Sequence, residues 1–542
     1  MHRIALPIVT LVVAINFLTM PAEEYLGDAD AVRAETIALL NTGKWAVPVD
    51  LAKTYGDRGQ YFVQNAKGNY YPKYGVFNTL IYLPPLWLEK IATGDLVINS
   101  TIRVWFLNLL NVALSGATAF YLILLARRYT RCRPERQSNG SKAIAAIFVL
   151  TSLYSTFWWN YLRAQTFEIY HTLFLLAFFY HFVVALDRDG ANKSQRQRDI
   201  QFLTAAILFG ALCLSKSVYV VLLPGIIWAF AQRTMSILTL ARNLHPHLNP
   251  LSAPPSRDPG ADQPLPSHGS ASAQRQVRVI GKRQVLSKQL LFFWLPVAIL
   301  LCLLAWTNWY KFDSPFATGY TQWQKESRLF TKANIFPALR GFLFSPHHSV
   351  FLHYPPLFFA LAGWPILFKR HKVDATVAVL SGIALLLVCS MFVNWRGQSS
   401  YGPRYLLPIL PILSLPFITY LEWLAQLSNK IAKLFLAGAT AILLSYSMLL
   451  QICVNTLPFF FFYSLSNVLD DKQHTRASHY LRSRQFGTIE RDFLLYQFGH
   501  TSPFAGKFLD QLNSAELERV SALIESPQSN YYWFPNLLRG RE

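Results

Sequence analysis

The sequence predicts an all-α polytopic membrane protein of about eleven transmembrane helices, and three observations predict it. About eleven long apolar stretches divide the 542 residues. Hydrophobic residues make up 52% of the chain and charged residues only 15%, a balance typical of membrane-embedded proteins. The basic segments between the stretches fall in alternate loops, as membrane topology requires.

Spans are expected near residues 4–20, 104–126, 142–160, 166–186, 201–215, 217–232, 289–308, 350–368, 374–394, 405–424 and 431–452. The opening MHRIALPIVTLVVAINFLTMPAEE has a signal-peptide flavour. Its apolar run is longer than an ordinary h-region and no small-x-small cleavage site follows, so it reads as a retained first helix. RRYTRCRPER at 127–136, Arg188–Arg198, the 233–288 segment and KRHK at 369–372 are strongly basic. With a cytoplasmic N-terminus all four lie on the cytoplasmic side. The loops at 21–103, 309–349 and 395–404 and the chain after about 453 then face outward. The net charge of +21 is thus a topology signal, and it argues against a nucleic-acid partner.

The hairpin QFLTAAILFGALCLSKSVYVVLLPGIIWAFAQ is short for two crossings, which need about 40 residues. Lys216 at its tip is therefore expected at headgroup or phosphate depth, either as a snorkelling lysine or as a cation for a lipid phosphate. VFNTLIYLPPLWLEKI, at 76–91, is apolar but carries Pro84–Pro85, and reads as a helix along the outer interface. The Pro-, Ser- and Arg-rich 233–288 segment reads as a disordered cytoplasmic insert. Residues 1–462 form the transmembrane domain and 463–542 a small external region. The five cysteines are scattered, with no CxxC or Cys/His cluster, and read as small packing residues.

Asp28 and Asp30 lie just outside the first span. An external transferase has no nucleotide donor and needs one carried by lipid. Its site needs a carboxylate to deprotonate an acceptor hydroxyl, cations for the phosphate leaving group, and rings to cover a sugar. Lys73, Arg163, Lys216, Arg396 and Arg404 supply cations near outer span ends. Trp158, Trp159, Tyr320, Trp323 and Trp395 supply rings, although Trp158 and Trp159 read more simply as an interface belt. Asp28 and Asp30 also suit a helix N-terminus before AVRAETIALL. Glu168, just inside the fourth span, needs a cavity or a partner. His347, His348 and His353 lack the spacing and carboxylate companion of a metal site.

Five strings, in order, carry a resemblance: GDADAVRAETIALLNTGKW, GNYYPKYGVFNTLIYLPPLWLEK, NWYKFDSPFATGY, RGFLFSPHHSVFLHYPPLFFALAGWPILFKR and WRGQSSYGPRYLLPILPIL. Together they resemble the GT-C class of polyprenyl-phosphate-sugar glycosyltransferases, nearest to the Rgt-type and the aminoarabinose- and protein-mannosyl-type members. The resemblance implies a GT-C bundle with a long first external loop, and transfer from a polyprenyl-phosphate sugar donor to a lipid, glycan or protein acceptor; the mechanism expected of such a site is inverting. It implies Asp28 as the catalytic base, with Asp30 as second choice. It implies Lys216 and Arg404 at the donor phosphate, and Lys73, Tyr74, Glu168 and Tyr320 facing the same cavity, to which Arg396 is added as a substrate contact. No cofactor is called for, and a divalent metal is left open. The implied place is a bacterial plasma membrane, with the site on the periplasmic face. Two departures stand out: Phe312-Asp313 replaces a Phe-Gly, and Asp28-x-Asp30 replaces an adjacent Asp-Glu. The rival readings are a lipid-linked glycan flippase and an O-antigen-type polymerase or ligase.

Overall fold

The structure is a computed structural model, and it describes residues 2–21, 28–54, 61–96, 101–130, 139–187, 194–243, 268–323, 329–397 and 401–456, with Arg491, Ser514, Ala515 and Glu518. The first half runs α1 (His2–Leu18), α2 (Asp28–Thr42), α3 (Val49–Thr54), β1 (Phe62–Gln64), β2 (Tyr70–Pro72), α4 (Val76–Thr93), α5 (Thr101–Tyr129), α6 (Asn139–Tyr154), α7 (Trp158–Arg163), α8 (Phe167–Leu186) and α9 (Gln195–Ser215). After a 3-10 segment at Ser217–Leu222 come α10 (Leu223–Asn243), α11 (His268–Phe312), α12 (Gly319–Trp323), α13 (Ile335–Phe344), α14 (Val350–His353), α15 (Pro356–Arg370), α16 (Lys372–Met391), α17 (Leu410–Leu413), α18 (Pro416–Gln426) and α19 (Lys430–Thr456). The chain is all-α apart from the antiparallel β1–β2 hairpin, in which Val63 faces Tyr71.

Among the described residues, seven helical stretches are long and apolar enough to cross a membrane: Ile102–Tyr129, Phe167–Leu186, Gln195–Ser215, Ser217–Met235, Leu290–Phe312, Lys372–Met391 and Lys430–Thr456. The other four expected spans are shorter helices. The 405–424 run is cut into a 3-10 turn at Arg404–Leu406, α17 and α18, with prolines at both helix starts, because proline lacks the amide that an interior turn needs.

The hairpin around Lys216 is longer than its apolar letters suggest. Helix α9 has 21 residues, about 31 Å at 1.5 Å per residue, because it starts in the basic flank at Gln195 behind a Ser194 capping box. Both arms therefore have full length, which corrects the argument that shortness alone sinks Lys216. The flanks of the 233–288 segment are helical too, in α10 and the start of α11; residues 244–267 and most of 463–542 lie outside the described residues.

The bundle is held by a core in which Phe178, Phe182, Phe202, Phe230 and Phe293 of α8, α9, α10 and α11 meet ring to ring. Trp158 and Trp159 belong to this core, 0% and 5% exposed. The belt reading of these two rings is thereby corrected: α7 is a short, wholly buried helix, packed among α5, α6, α8 and α19. At one end of the bundle Arg128 binds Asp187 and, at 2.8 Å, Asp374, tying α5 to α8 and α16. At the opposite ends of α5 and α8, the segment carrying α2 to α4 folds onto the bundle. Arg103 and Glu89, both fully buried, pair at 2.8 Å and fix α4 to α5. Lys311, closing α11, pairs with Glu35 of α2 at 2.7 Å and donates to the Tyr74 carbonyl at 3.2 Å.

Candidate functional site

The β1–β2 hairpin delivers the chain into the tripeptide Lys73–Tyr74–Gly75, and two glycines clamp that tripeptide between neighbours. Gly75 donates its amide to the Ser215 carbonyl at 3.2 Å. A Cβ on Gly75 would lie 1.9 Å from the Leu214 carbonyl oxygen, and one on Gly319 would lie 2.2 Å from the Lys73 Cα. Only glycine permits backbones this close. The strand end, the tip of α9 and the start of α12 thus share one small volume.

Asp28 opens α2, where a carboxylate in the first turn also suits the helix dipole. The Tyr74 hydroxyl donates to its Oδ1 at 2.5 Å, and Arg404 Nη2 donates to its Oδ2 at 3.0 Å. The side chain keeps 25% of its surface exposed. Burial pushes the carboxyl up, but Arg404, Lys73, the Tyr74 hydroxyl and Lys216 outweigh it and hold the group below the ordinary carboxylate value. Lys73 sits among the rings of Tyr61, Tyr74 and Tyr320, 5.4, 5.5 and 5.6 Å from their centroids. Its ammonium is pushed down to about 8 by burial, against the pull of Asp28 and with the repulsion of Arg404 and Lys216.

Tyr405 joins the remaining cations. Lys216 Nζ lies 4.7 Å above its ring, and the Arg404 guanidinium 5.0 Å. Arg404 Nη2 also donates to the Tyr405 hydroxyl at 3.3 Å. Glu168, in the first turn of α8 and 7% exposed, approaches Arg404 Nε at 4.0 Å. That Nε is buried without a hydrogen-bond partner among the described residues, and Glu168 faces it only at ion-pair distance. From Lys216, Tyr320 and Tyr405 a cavity of about 290 Å³ runs between apolar walls that include Leu329, Phe330, Leu385 and Phe392. One end is cationic and the rest is greasy.

The structure brings together Asp28, Lys73, Tyr74, Glu168, Lys216, Tyr320 and Arg404. It places two other candidates elsewhere. Asp30, 3% exposed, is turned into an ion pair with Arg33, whose guanidinium also donates to Gln165. Arg396 is exposed and lies 5.1 Å over the Trp395 ring. Arg163 is buried and donates to the Asn455 carbonyl at 2.6 Å. His353 donates to the Ser349 carbonyl at 2.9 Å and packs on Tyr401. Among the described residues no three His, Cys, Asp or Glu side chains gather as a metal site. Asp313 occupies a left-handed backbone position, φ 60°, and accepts the Ala66 amide at 2.6 Å. Its carboxylate braces the hairpin turn at a position where glycine is the easy residue.

Tyr405 was missed by sequence reading, although it follows Arg404 directly. Cys389, which also lines the cavity, carries no sequence signal.

No protein-family model matches the sequence, and no curated protein does. Solved structures do. The chain is similar to the Archaeoglobus fulgidus oligosaccharyltransferase in its apo form, at 11% identity and a TM-score of 0.47, over 88% of this chain and 59% of that one. It therefore spans less than two thirds of the archaeal protein's length. It is similar also to ArnT from Cupriavidus metallidurans bound to undecaprenyl phosphate, at 12% identity and a TM-score of 0.45, over 94% of this chain and 80% of that one.

Proposed function

We propose that this chain is an integral membrane glycosyltransferase of the GT-C class, moving a sugar from a polyprenyl-phosphate donor to a hydroxyl acceptor at the outer membrane face. One observation carries the reading. A tethered carboxylate, Asp28, interacts with Arg404, Lys73 and Lys216, and the last of these cations lines one end of an apolar cavity beside Tyr320 and Tyr405. A ligand complementary to that junction has a phosphate head and a hydrocarbon tail. Lys216 and Arg404 hold the phosphate, and the walls formed by Leu329, Phe330, Leu385 and Phe392 take the proximal tail.

Asp28 acts as general base. It takes the proton of the acceptor hydroxyl while that oxygen attacks the anomeric carbon from the face opposite the phosphate. The sugar–phosphate C–O bond breaks, its electron pair leaves on the phosphate, and the anomeric configuration inverts. Cations around the leaving group stabilise its growing charge and make a strong general acid unnecessary. Arg404 links the two ends of this step. In the free protein it neutralises Asp28; a donor phosphate competes for the same guanidinium, leaving the carboxylate more basic when the acceptor is present. Tyr74 holds the carboxylate in place throughout. Lys73 and Tyr320 flank the space between base and phosphate, where the sugar ring would sit.

The test is transfer by the purified protein from labelled undecaprenyl-phosphate sugars to a membrane glycan extract. Transfer by wild type that is lost in Asp28→Asn, with folding retained, supports the reading. Undiminished transfer by Asp28→Asn removes Asp28 as base. Failure of wild type to bind undecaprenyl phosphate overturns the donor class.

A further inference from the structure

Beneath the site lies a buried polar network that the proposed reaction does not use. Ser215 ends α9, and the next residue, Lys216, leaves the helix in extended conformation, φ −150° and ψ 111°. The Ser215 carbonyl accepts two bonds, from the Gly75 amide at 3.2 Å and from Asn78 Nδ2 at 3.0 Å. Its hydroxyl donates to Asn78 Oδ1, which also accepts the Tyr170 hydroxyl at 2.7 Å. The fourth member is His171, whose Nε2 lies in hydrogen-bond contact with Ser215 Oγ.

Counting hydrogens fixes the roles. Ser215 has one hydroxyl hydrogen, and the carbonyl-type Oδ1 of Asn78 can only accept it. The serine oxygen must then accept from His171, so the imidazole carries its proton on Nε2. This arrangement is the reverse of a nucleophilic serine–histidine pair, in which serine gives its proton to the ring. Ser215, His171 and Asn78 are 2%, 2% and 1% exposed, and the ring is boxed by Tyr170 and Tyr219 at 4.9 and 5.3 Å. The group does no chemistry of its own. Its geometric effect is to fix the last helical residue before Lys216 on both its hydroxyl and its carbonyl, from α4 and α8 at once.

We infer that His171, Asn78 and Ser215 are positioning residues that set where α9 stops and so aim the Lys216 ammonium into the head of the cavity. The arm of the test that uses lipid rests on the reading of Lys216 as a phosphate ligand; the other arm does not. Two readouts are made on Ser215→Ala, His171→Leu and His171→Gln in nanodiscs, with thermal midpoints recorded. The first is the labelling rate of the Lys216 amine by an acylating reagent, followed by mass spectrometry against exposed Lys332. The second is undecaprenyl-phosphate affinity, in wild-type and Lys216→Ala backgrounds.

Ser215→Ala and His171→Leu are expected to change the Lys216 labelling rate severalfold and to weaken lipid-phosphate binding about five- to tenfold, the scale of one buried hydrogen bond. In the Lys216→Ala background the same changes should leave affinity where it is. His171→Gln, which keeps a donor in reach of Ser215 Oγ, should restore most of both readouts. An unaltered Lys216 labelling rate in folded Ser215→Ala and His171→Leu overturns the positioning role. So does equal weakening of affinity with and without Lys216. Altered labelling with unaltered affinity keeps the positioning role and instead removes Lys216 from the phosphate site.

Discussion

Arg404 grips Asp28 across 376 residues of chain, Nη2 to Oδ2 at 3.0 Å, so the start of α2 and the 3-10 turn at Arg404–Leu406 meet in one ion pair. This contact makes a single site of two sequence motifs that neither composition nor spacing connects.

Replacing Asp28 by Asn should lower glycosyl transfer by about a hundred- to ten-thousandfold, the usual contribution of a general base. Lipid-phosphate affinity should stay the same or improve, since a negative charge near the phosphate is gone. Single-turnover rates and equilibrium binding on the same preparation separate the two effects.

Removing the Tyr74 hydroxyl tests how Asp28 is tuned. That hydroxyl stabilises the charged carboxylate, so in Tyr74→Phe the carboxyl should titrate at higher pH. The active, ionised form would then be lost earlier on acidification, and the acid limb of the rate profile should move to higher pH. Lys73 sets the opposite limb: its charge, held down to about 8, is present below that pH and lost above it. Lys73→Arg should carry donor binding to more alkaline pH. A pH–rate series on the three proteins decides.

Arg404→Ala and Lys216→Ala should each weaken undecaprenyl-phosphate binding by about ten- to a hundredfold, as expected for charge-assisted bonds of roughly 1.5–3 kcal/mol. Arg404→Lys should recover little, because one ammonium cannot span Asp28 and a phosphate as the fork does. Calorimetric titration in detergent provides the numbers.

A methyl group at Gly75 would meet the Leu214 carbonyl. Gly75→Ala should therefore cost about 1–3 kcal/mol, in line with overpacking elsewhere, and abolish transfer by moving Lys73 and Lys216 apart. Gly438, in α19, is the control, because a methyl added there meets nothing within 4 Å. Alanine at that position should keep activity and leave the thermal midpoint equal or higher.

The Glu35–Lys311 pair, 0% and 4% exposed at the side chains, holds α2 and the Tyr74 carbonyl to the end of α11. Glu35→Ala alone should destabilise by about 3–5 kcal/mol because it strands a buried ammonium. Glu35→Ala with Lys311→Met should be less harmful than the single change. Thermal midpoints of the four proteins of this cycle make the comparison.

By itself the sequence determined that this chain is an all-α membrane protein and roughly where its helices run. Apolar length and charge segregation are local properties, and the bilayer requirement reads them directly. It also singled out Asp28, Lys216 and Arg404 from short ordered motifs. Tertiary structure alone decided which of two neighbouring aspartates faces the cations, because Asp28 and Asp30 differ only in which side of one helix they occupy, and helix rotation follows from packing. It decided equally that Trp158 and Trp159 fill the core, that Tyr405 joins Lys216 to Arg404, and that His171, Ser215 and Asn78 form one network. Each of these depends on contacts between residues far apart in the chain, whose partners no local pattern names.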